Sequence, residues 1–294
     1  MLVLLTGATG LVGSALLPRL LARGVQVRCM VRDPRRLGVQ RVRVQIALGD
    51  LSDPPSFRNA LRGVHTVVHL AASIRDQPRG SIEELGGIAT WRMVEAAERQ
   101  GVERFVFFSA LGASTHHRTR FLRAKALAEQ AVRETAGSSI VFAPSIVYAP
   151  GDRWLTLLER MAWLPVMPVS GRGRATFQPI WADDVAACVM AALDRQPLQQ
   201  ATRHELAGPE ALSHSQIVRT LLGSRQRTRP LLHVPTPVVS RGLRTLERVA
   251  GAGAFATWDE AELMETSMVS ARGAADAEAL GVSPQRLAAV LGIG

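Results

Sequence analysis

The first thirteen residues, Met1-Leu-Val-Leu-Leu-Thr-Gly-Ala-Thr-Gly-Leu-Val-Gly13, decide the fold class. A short apolar segment of strand type leads directly into three glycines with the spacing Gly7-x-x-Gly10-x-x-Gly13, and an apolar helical pattern follows. A glycine turn between a strand and a helix is typical of dinucleotide-binding folds. Gly7 permits the tight turn, Gly10 lets backbone approach phosphates, and Gly13 lets helix and strand pack closely. We therefore predict that this helix N-terminus holds the pyrophosphate of a dinucleotide.

Strand-like apolar runs alternate with helical segments from residue 1 to about residue 148. This alternation predicts an α/β domain, a doubly wound parallel Rossmann sheet with helices on both faces. The predicted strands are 1–6, 25–31, 42–47, 65–71, 102–109 and 139–147. The predicted helices begin near Gly10, Pro54, Ser81 and Thr119.

A smaller mixed C-terminal lobe is predicted after Tyr148, where proline and glycine interrupt regular structure at 149–152 and 165–173. We assign residues 1–148 to the dinucleotide-binding domain, with helix 183–194 returning to it, and residues 149–182 and 195–294 to the lobe. Within the lobe we predict strands at 175–180 and 204–206. Ser213 and Gln216 have the spacing of a capping box that opens a helix, and the chain from Pro230 onward is predicted to be helical.

The net charge of +10 does not by itself indicate nucleic-acid binding, because the arginines are scattered and no basic run contains stacking aromatics. No apolar run is long enough to span a membrane, and strand residues begin at Met1, so we expect no targeting segment and a cytoplasmic protein. The amphipathic segment 238–249 leaves peripheral association with a membrane or a complex open. Cys29 and Cys188 match no metal-ligand spacing and are interpreted as core thiols.

The end of the second predicted strand bears on the choice between NADP and NAD. Arg32 lies there, with Arg35 and Arg36 close behind, and arginines would accept a ribose 2′-phosphate. An acidic residue at this position would instead favour NAD, and Asp33 would take it after a shift of one residue. We favour NADP(H) and leave NAD(H) as the alternative. Asp50 and Leu51 follow the third strand and are expected to meet the adenine, while Ala71 and Ala72 follow the fourth.

Several motifs together resemble the extended or atypical short-chain dehydrogenase/reductase superfamily. They are Thr6–Gly13, Gly49–Leu51, His69–Ala72, Ser109, Lys125 and Pro144–Tyr148, and the resemblance covers nearly the whole chain. The runs 102–113, 177–186 and 205–210 are similar to the branch that contains the accessory nucleotide-binding subunit of respiratory complex I and its bacterial relatives. The resemblance implies a substrate cleft shaped by the smaller lobe. It also implies cofactor contacts from Gly7, Thr9, Gly10, Leu11, Val12, Gly13, Arg32, Asp50, Leu51, Ala71, Ala72, Lys125 and Pro144.

The superfamily's catalytic residues are a serine, a tyrosine and a lysine, with the tyrosine four residues before the lysine on a helix. Ser109 and Lys125 match the serine and the lysine, but Phe121 stands at the tyrosine position. Proton transfer by a positioned group typically contributes about 100- to 10,000-fold to a rate, so ordinary carbonyl reduction becomes doubtful. Lys125 is the only lysine among the 35 basic residues, which is consistent with a role that arginine cannot fill, such as holding the nicotinamide ribose.

Three substitutes for the missing hydroxyl remain open: Tyr148, the only tyrosine, and the loop histidines His116 and His117. The sequence therefore supports three hypotheses. The chain could bind the dinucleotide without ordinary turnover. It could be an NADPH-dependent reductase or isomerase acting on a small hydrophobic or quinone-like substrate. It could also be an accessory or assembly subunit of a membrane-associated complex.

Overall fold

In a computed structural model, described over residues 1–135, 137–197, 200–250 and 256–293, the chain forms an α/β fold around one seven-stranded sheet. For Arg58 and for residues 246–250 only the backbone is described. The sheet strands are β1 (Leu2–Thr6), β2 (Gln26–Val31), β3 (Gln45–Leu48), β4 (Thr66–His69), β5 (Arg104–Phe108), β6 (Ser138–Pro144) and β11 (Thr202–Leu206). All pairs are parallel, in the order β11-β6-β5-β4-β1-β2-β3. The predicted doubly wound parallel sheet is confirmed.

Helices cover both faces of this sheet. One face packs against α1 (Leu11–Ala22) and α6 (Ala182–Asp194), and the other packs against α2 (Pro55–Leu61), α3 (Ala89–Arg99) and α4 (Arg120–Arg133). A π-helical turn, Glu84–Ile88, leads into α3, and a 3-10 segment, Pro34–Arg43, follows β2. The two predicted core thiols lie in these layers, and both are buried and free.

The smaller lobe has its own apolar core and three two-stranded sheets. Its strands are β7 (Val147–Tyr148), β8 (Met167–Ser170), β9 (Thr176–Phe177), β10 (Ile180–Trp181), β12 (Leu212–Ser213) and β13 (Leu231–Val234). The remaining helices are α5 (Arg153–Met161), α7 (His214–Ser224), α8 (Thr236–Ala250), α9 (Trp258–Leu263), α10 (Ala275–Ala279) and α11 (Leu287–Val290). The predicted capping box is present, because the Gln216 amide donates to Ser213 Oγ at 3.2 Å and the Ser213 amide donates to Gln216 Oε1 at 2.7 Å.

Three predictions for the second half of the chain are wrong in detail. The sequence places residues 195–294 in the smaller lobe, but Thr202–Leu206 forms the seventh strand of the main sheet, paired with β6. Residues 175–180 form two short strands, because Gln178 turns its backbone amide to Ser145 Oγ (3.0 Å) and Pro179 has no amide to donate. The stretch after Pro230 is not uniformly helical, since Leu231–Val234 pairs in parallel with β8.

The segment predicted to rest on a membrane, 238–249, lies within α8, and its side chains from 246 onward fall outside the described residues. In the described part of the chain, no helix combines the length and apolar character needed to cross a bilayer.

Candidate functional site: a cleft at the carboxyl edge of the sheet

The strand order reverses between β1 and β4, which lie side by side with Thr6 opposite His69. In open α/β sheets, ligands bind outside the carboxyl ends of the strands at such a reversal. A cleft of about 540 Å³ lies here, and its walls come from the loops after β1, β2, β3 and β4. The parallel sheet thus brings four separate segments of sequence to one edge.

The glycine loop is pressed against the neighbouring loop and against its own helix. Gly7 has φ of +72°, and a Cβ there would lie 2.7 Å from the amide nitrogen of Ala71. A Cβ on Gly13 would lie 2.7 Å from the Cα of Ala8. The Gly10 amide donates to the Gly7 carbonyl at 2.9 Å, and Gly10 is the N-cap of α1. The first-turn amides of α1 and its dipole therefore favour an anion at this end of the cleft.

A buried hydrogen-bond chain fixes the opposite wall. The hydroxyl of Thr90 donates to the Gly86 carbonyl (2.7 Å) and therefore accepts from His69 Nε2 (3.1 Å). His69 Nδ1 then accepts from the hydroxyl of Thr6 (2.8 Å), which in turn accepts from the amide of Ala71 (3.3 Å). Burial, with a smaller contribution from the charge of Lys125, lowers the pKa of His69 to about 3, so the ring is neutral as this chain requires.

The end of the cleft formed by the loops after β2 and β3 carries two arginines and two carboxylates. Arg32 and Arg36 both line it, as does Asp33. Asp33 is the N-cap of the 3-10 segment, and its Oδ1 accepts from the amide of Arg35 at 2.9 Å. Asp50 also lines the cleft, and its Oδ1 accepts from the amide of Ser52 at 3.1 Å. Local backbone groups therefore already occupy one oxygen of each carboxylate.

Eight of the residues expected to contact a cofactor line this cleft, and five do not. Those in the lining are Gly7, Thr9, Gly10, Arg32, Asp50, Leu51, Ala71 and Ala72. Leu11, Val12, Gly13, Lys125 and Pro144 lie outside it. The lining also includes Asp33 and Arg36, which bear on the choice of cofactor, and Ala8, Gly49 and Leu70, which lie in the quoted motifs. The lining residues that sequence reasoning missed are Met30, Val31, Ser73, Gln77 and Leu85. Most of these residues are close in sequence to the quoted motifs and could have been found from them. Gln77 and Leu85 come from a segment without a motif.

Lys125 is buried beneath two aromatic rings. Its side chain is 95% shielded, its Nζ donates to the carbonyl of Phe108 at 2.5 Å, and Nζ lies 5.0 and 5.7 Å from the ring centres of Phe107 and Phe121. Burial lowers the pKa of Lys125 to about 8. Phe121, one helical turn earlier on α4, is half-buried and packs against the apolar core of the smaller lobe.

Two hydroxyls that the sequence singled out are buried with no hydrogen-bond partner among the described residues: Ser109 Oγ and the phenol of Tyr148. Ser109 directly follows β5, and its amide donates to the Phe142 carbonyl at 2.7 Å. Tyr148 is fully buried in the core of the smaller lobe, and burial together with the charges of Asp184 and Glu210 raises its pKa. A tyrosine in this environment stays protonated.

The two loop histidines differ in their surroundings. His116 is exposed. His117 is half-buried, and its Nδ1 accepts from the amide of Thr119 at 3.0 Å, directly before α4. Burial and then the charges of Arg118 and Arg123 lower the pKa of His117. Its neutral ring therefore carries a proton on Nε2.

Comparison with known sequences gives the family. The profile of a family described as NAD(P)H-binding matches residues 7–147. Sterol demethylase protein B from Methylococcus capsulatus is 31% identical over 273 residues, which cover 84% of this chain and 81% of that protein. The chain belongs to the NAD(P)H-binding family of atypical short-chain dehydrogenase/reductase proteins.

One further relative and one solved structure are also similar to this chain. The mitochondrial NADH dehydrogenase [ubiquinone] 1 alpha subcomplex subunit 9 of Arabidopsis thaliana is 28% identical over 243 residues, or 79% of this chain. The match spans only 60% of the length of that relative. A nucleoside-diphosphate-sugar epimerase from Staphylococcus aureus superposes with a TM-score of 0.77 at 21% identity, covering 99% of both chains, which shows a shared fold. As a family member, the chain is a nicotinamide dinucleotide-binding protein.

Proposed function

We propose that the chain binds NADP(H) in the cleft and holds it without catalysing ordinary carbonyl reduction. The observation that carries this proposal is the pair Phe121 and Lys125 on α4. Position 121, where the superfamily resemblance implies a tyrosine hydroxyl that acts as acid and base, is occupied by phenylalanine. The ammonium of Lys125 lies beneath the Phe121 ring and donates a hydrogen bond to the Phe108 carbonyl. A nicotinamide cofactor supplies hydride chemistry, but proton delivery is left to the protein.

The glycine loop supports the binding half of the proposal. The first turn of α1 offers backbone amides to a pyrophosphate, and neither Gly7 nor Gly10 has a side chain in the way. Asp50 keeps one carboxylate oxygen available for the adenine, and Ala71 and Ala72 leave room beside the phosphates.

The preference for NADP rests on Arg32 and Arg36. Both line the cleft, and neither forms an ion pair with a carboxylate within the described ranges. Asp33, the residue that would favour NAD, has one oxygen engaged in capping the 3-10 segment. Two guanidinium groups would hold a 2′-phosphate through charge-assisted hydrogen bonds.

The binding half is tested by mass spectrometry of nucleotide released from the purified protein and by titration with NADPH and NADH. We expect tighter binding of NADPH. The double variant R32Q/R36Q should bind NADPH at least about 100-fold more weakly with little change for NADH, because two charge-assisted bonds are lost and each is worth about 1.5–3 kcal/mol. Arg35→Gln, an exposed neighbour outside the cleft, is the matched control. A protein that binds neither dinucleotide would overturn the proposal.

A second candidate function is an NADPH-dependent reductase acting on an apolar substrate, with His117 as proton donor. One observation favours it: one relative is named for sterol demethylation. NADPH oxidation with a panel of sterol, quinone and long-chain carbonyl substrates tests it. Turnover that disappears in His117→Ala, but not in His116→Ala, would favour this candidate over the first.

An accessory role in a complex is a third candidate, because one relative is named as a subunit of NADH dehydrogenase. Blue-native electrophoresis of the source membranes, followed by detection of this chain, tests it. Migration only at the mass of the free chain would remove the candidate.

A further inference from the structure

Four large apolar side chains project into solvent from one region of the smaller lobe. They are Trp163, 75% exposed, Leu164 (46%), Val166 (38%) and Leu232 (51%). We call these four residues the Trp163 patch. The first three occupy the turn between α5 and β8, and Leu232 lies in the neighbouring strand β13.

The pairing of β8 with β13 explains why these residues share a face. Leu232 lies opposite Pro168 in the parallel register. Side chains alternate along a strand, so Val166, Pro168 and Leu232 point outward, while Met167 and Val169 are buried in the lobe's core. The patch is thus the uncovered outer face of a two-stranded sheet together with the turn that leads into it.

Two arginines are fixed at the edge of the patch. The guanidinium of Arg227 stacks 3.5 Å from the ring centre of Trp163, and its Nη1 donates to the carbonyl of Ala162 at 3.1 Å. Arg229 donates from Nε to the carbonyl of Leu164 at 3.0 Å. In the described part of the chain, neither guanidinium has a carboxylate within 4.0 Å. Both positive charges therefore lie beside exposed apolar surface without a compensating carboxylate among the described side chains.

We propose that the Trp163 patch docks the protein onto a bilayer surface that contains anionic lipid. Tryptophan favours the boundary between lipid headgroups and hydrocarbon, because its ring is apolar and its N–H can still reach water. Because the side chain of Trp163 is 75% exposed, it projects outward and can insert among lipid headgroups. Arg227 and Arg229, which have no carboxylate partner among the described residues, and the net charge of +10 complement anionic headgroups. This inference concerns a surface distinct from the dinucleotide cleft and does not depend on it.

The test is co-sedimentation of the full chain with vesicles of phosphatidylcholine alone and of phosphatidylcholine mixed with phosphatidylglycerol. We expect binding to the mixed vesicles that weakens as salt is added. The variant W163S/L164S should lose at least about tenfold in partitioning, because both apolar anchors are removed. Its far-ultraviolet circular dichroism and thermal midpoint should match those of the wild type, since both side chains are exposed.

A matched control comes from another exposed apolar and basic surface of the same chain. Val39 and Val42 are 83% and 86% exposed, and the exposed arginines Arg41 and Arg43 lie beside them. The variant V39S/V42S should bind vesicles as the wild type does. An equal loss in this control would overturn the assignment of binding to the Trp163 patch.

A second pair of variants tests the contribution of the arginine charges to membrane binding. Arg229→Gln keeps a donor for the Leu164 carbonyl and removes the charge, and should lower partitioning into the mixed vesicles roughly fivefold, while Arg43→Gln should not. Wild-type protein that stays in the supernatant with both kinds of vesicle would overturn the proposal. So would sedimentation velocity showing that W163S/L164S converts a dimer to a monomer without altering vesicle binding, since the patch would then be an interface between copies of this chain.

Discussion

Phe121 is the residue on which the proposed lack of turnover depends. Its ring is half-buried next to Lys125, so the change Phe121→Tyr adds one oxygen at a site that already accepts an aromatic ring. We expect Phe121→Tyr to raise NADPH-dependent reduction of simple carbonyl substrates by about 100- to 10,000-fold above the wild-type background, because it restores a positioned proton donor.

The measurement is the rate of NADPH oxidation with the substrate panel, after titration shows unchanged NADPH affinity. Phe121→Leu is the control, since it alters the packing without adding a hydroxyl. Wild-type activity equal to that of Phe121→Tyr would show that another residue already delivers the proton.

The close packing around Gly13 leads to a prediction about stability. A Cβ there would meet backbone atoms of Ala8, and backbone cannot move aside as a flexible side chain can. Overpacking of this kind typically costs about 1–3 kcal/mol, so Gly13→Ala should lower the free energy of unfolding by that amount and weaken dinucleotide binding. Urea denaturation and NADPH titration measure the two effects.

Gly242 provides the comparison for Gly13. It lies in α8, and nothing described lies within 4 Å of the position its Cβ would take. Gly242→Ala should therefore stabilise the chain by about 0.5–1 kcal/mol through helix propensity. If both substitutions destabilise the protein equally, close approach at the glycine loop is not the reason for Gly13.

At the scale of elements, an ion-pair bridge joins the cleft to the C-terminal part of the chain. Glu260, at the start of α9, accepts from Nε and Nη2 of Arg75 at 2.6 and 2.7 Å. Arg75 belongs to the loop after β4, whose Ser73 and Gln77 line the cleft. Both charged side chains are mostly buried, with 12% and 21% exposure, so solvent screens the pair only weakly.

We expect Glu260→Gln to lower the free energy of unfolding by about 1–3 kcal/mol, because it removes a charge-assisted pair that is largely shielded from solvent. Hydrogen exchange in residues 73–80 should become faster, and NADPH binding should weaken. Glu262→Gln is the control on the same helix, since the carboxylate of Glu262 forms no ion pair among the described residues. Unchanged exchange in 73–80 would show that α9 does not order the loop.

The elements that the sequence predicted correctly are those with local signals. The glycine loop, the alternation of strands and helices up to residue 148 and the capping box at Ser213 each depend on neighbours within a few residues. The pairing of β11 with β6 depends on contacts about 60 residues apart, and no local pattern distinguishes a seventh sheet strand from a lobe strand.

The residues of the candidate site also fall into two groups, those that local sequence signals identify and those that depend on distant contacts. Gly7, Arg32 and Asp50 follow predicted strands and were found because parallel strands bring their carboxyl ends to one edge. Gln77 and Leu85 reach the cleft only because the loop after β4 folds back, and that path is set partly by Arg75 and Glu260, 185 residues apart. Such a pairing leaves no trace in the local sequence.

At the scale of the whole molecule, two buried histidines link stability to pH. Burial lowers the pKa of His69 to about 3, with a smaller effect from Lys125, and burial lowers that of His214 to about 4, with a smaller effect from His233. His69 lies in the main sheet and His214 in the smaller lobe, so both cores contribute. His214 Nδ1 has no hydrogen-bond partner in the described ranges, whereas both ring nitrogens of His69 are bonded.

The direction in which stability changes with pH depends on whether the folded or the unfolded chain binds more protons. Below the ordinary histidine pKa of about 6.5 the unfolded chain takes up protons that the folded chain excludes, so the free energy of unfolding falls as pH falls. Each histidine contributes up to about 1.4 kcal/mol per pH unit below that value. The contribution of His214 should end near pH 4 and that of His69 near pH 3.

Urea denaturation at a series of pH values between about 7.5 and 5 measures this slope, in a range where most carboxylates stay ionised. His214→Leu should reduce the slope without leaving an unpaired polar group, because the Nδ1 it removes has no partner among the described residues. His116→Ala, at an exposed position, is the control variant. Equal slopes in the wild type and in His214→Leu would mean that the lobe opens to solvent before the main sheet unfolds, and the two cores would then not unfold together.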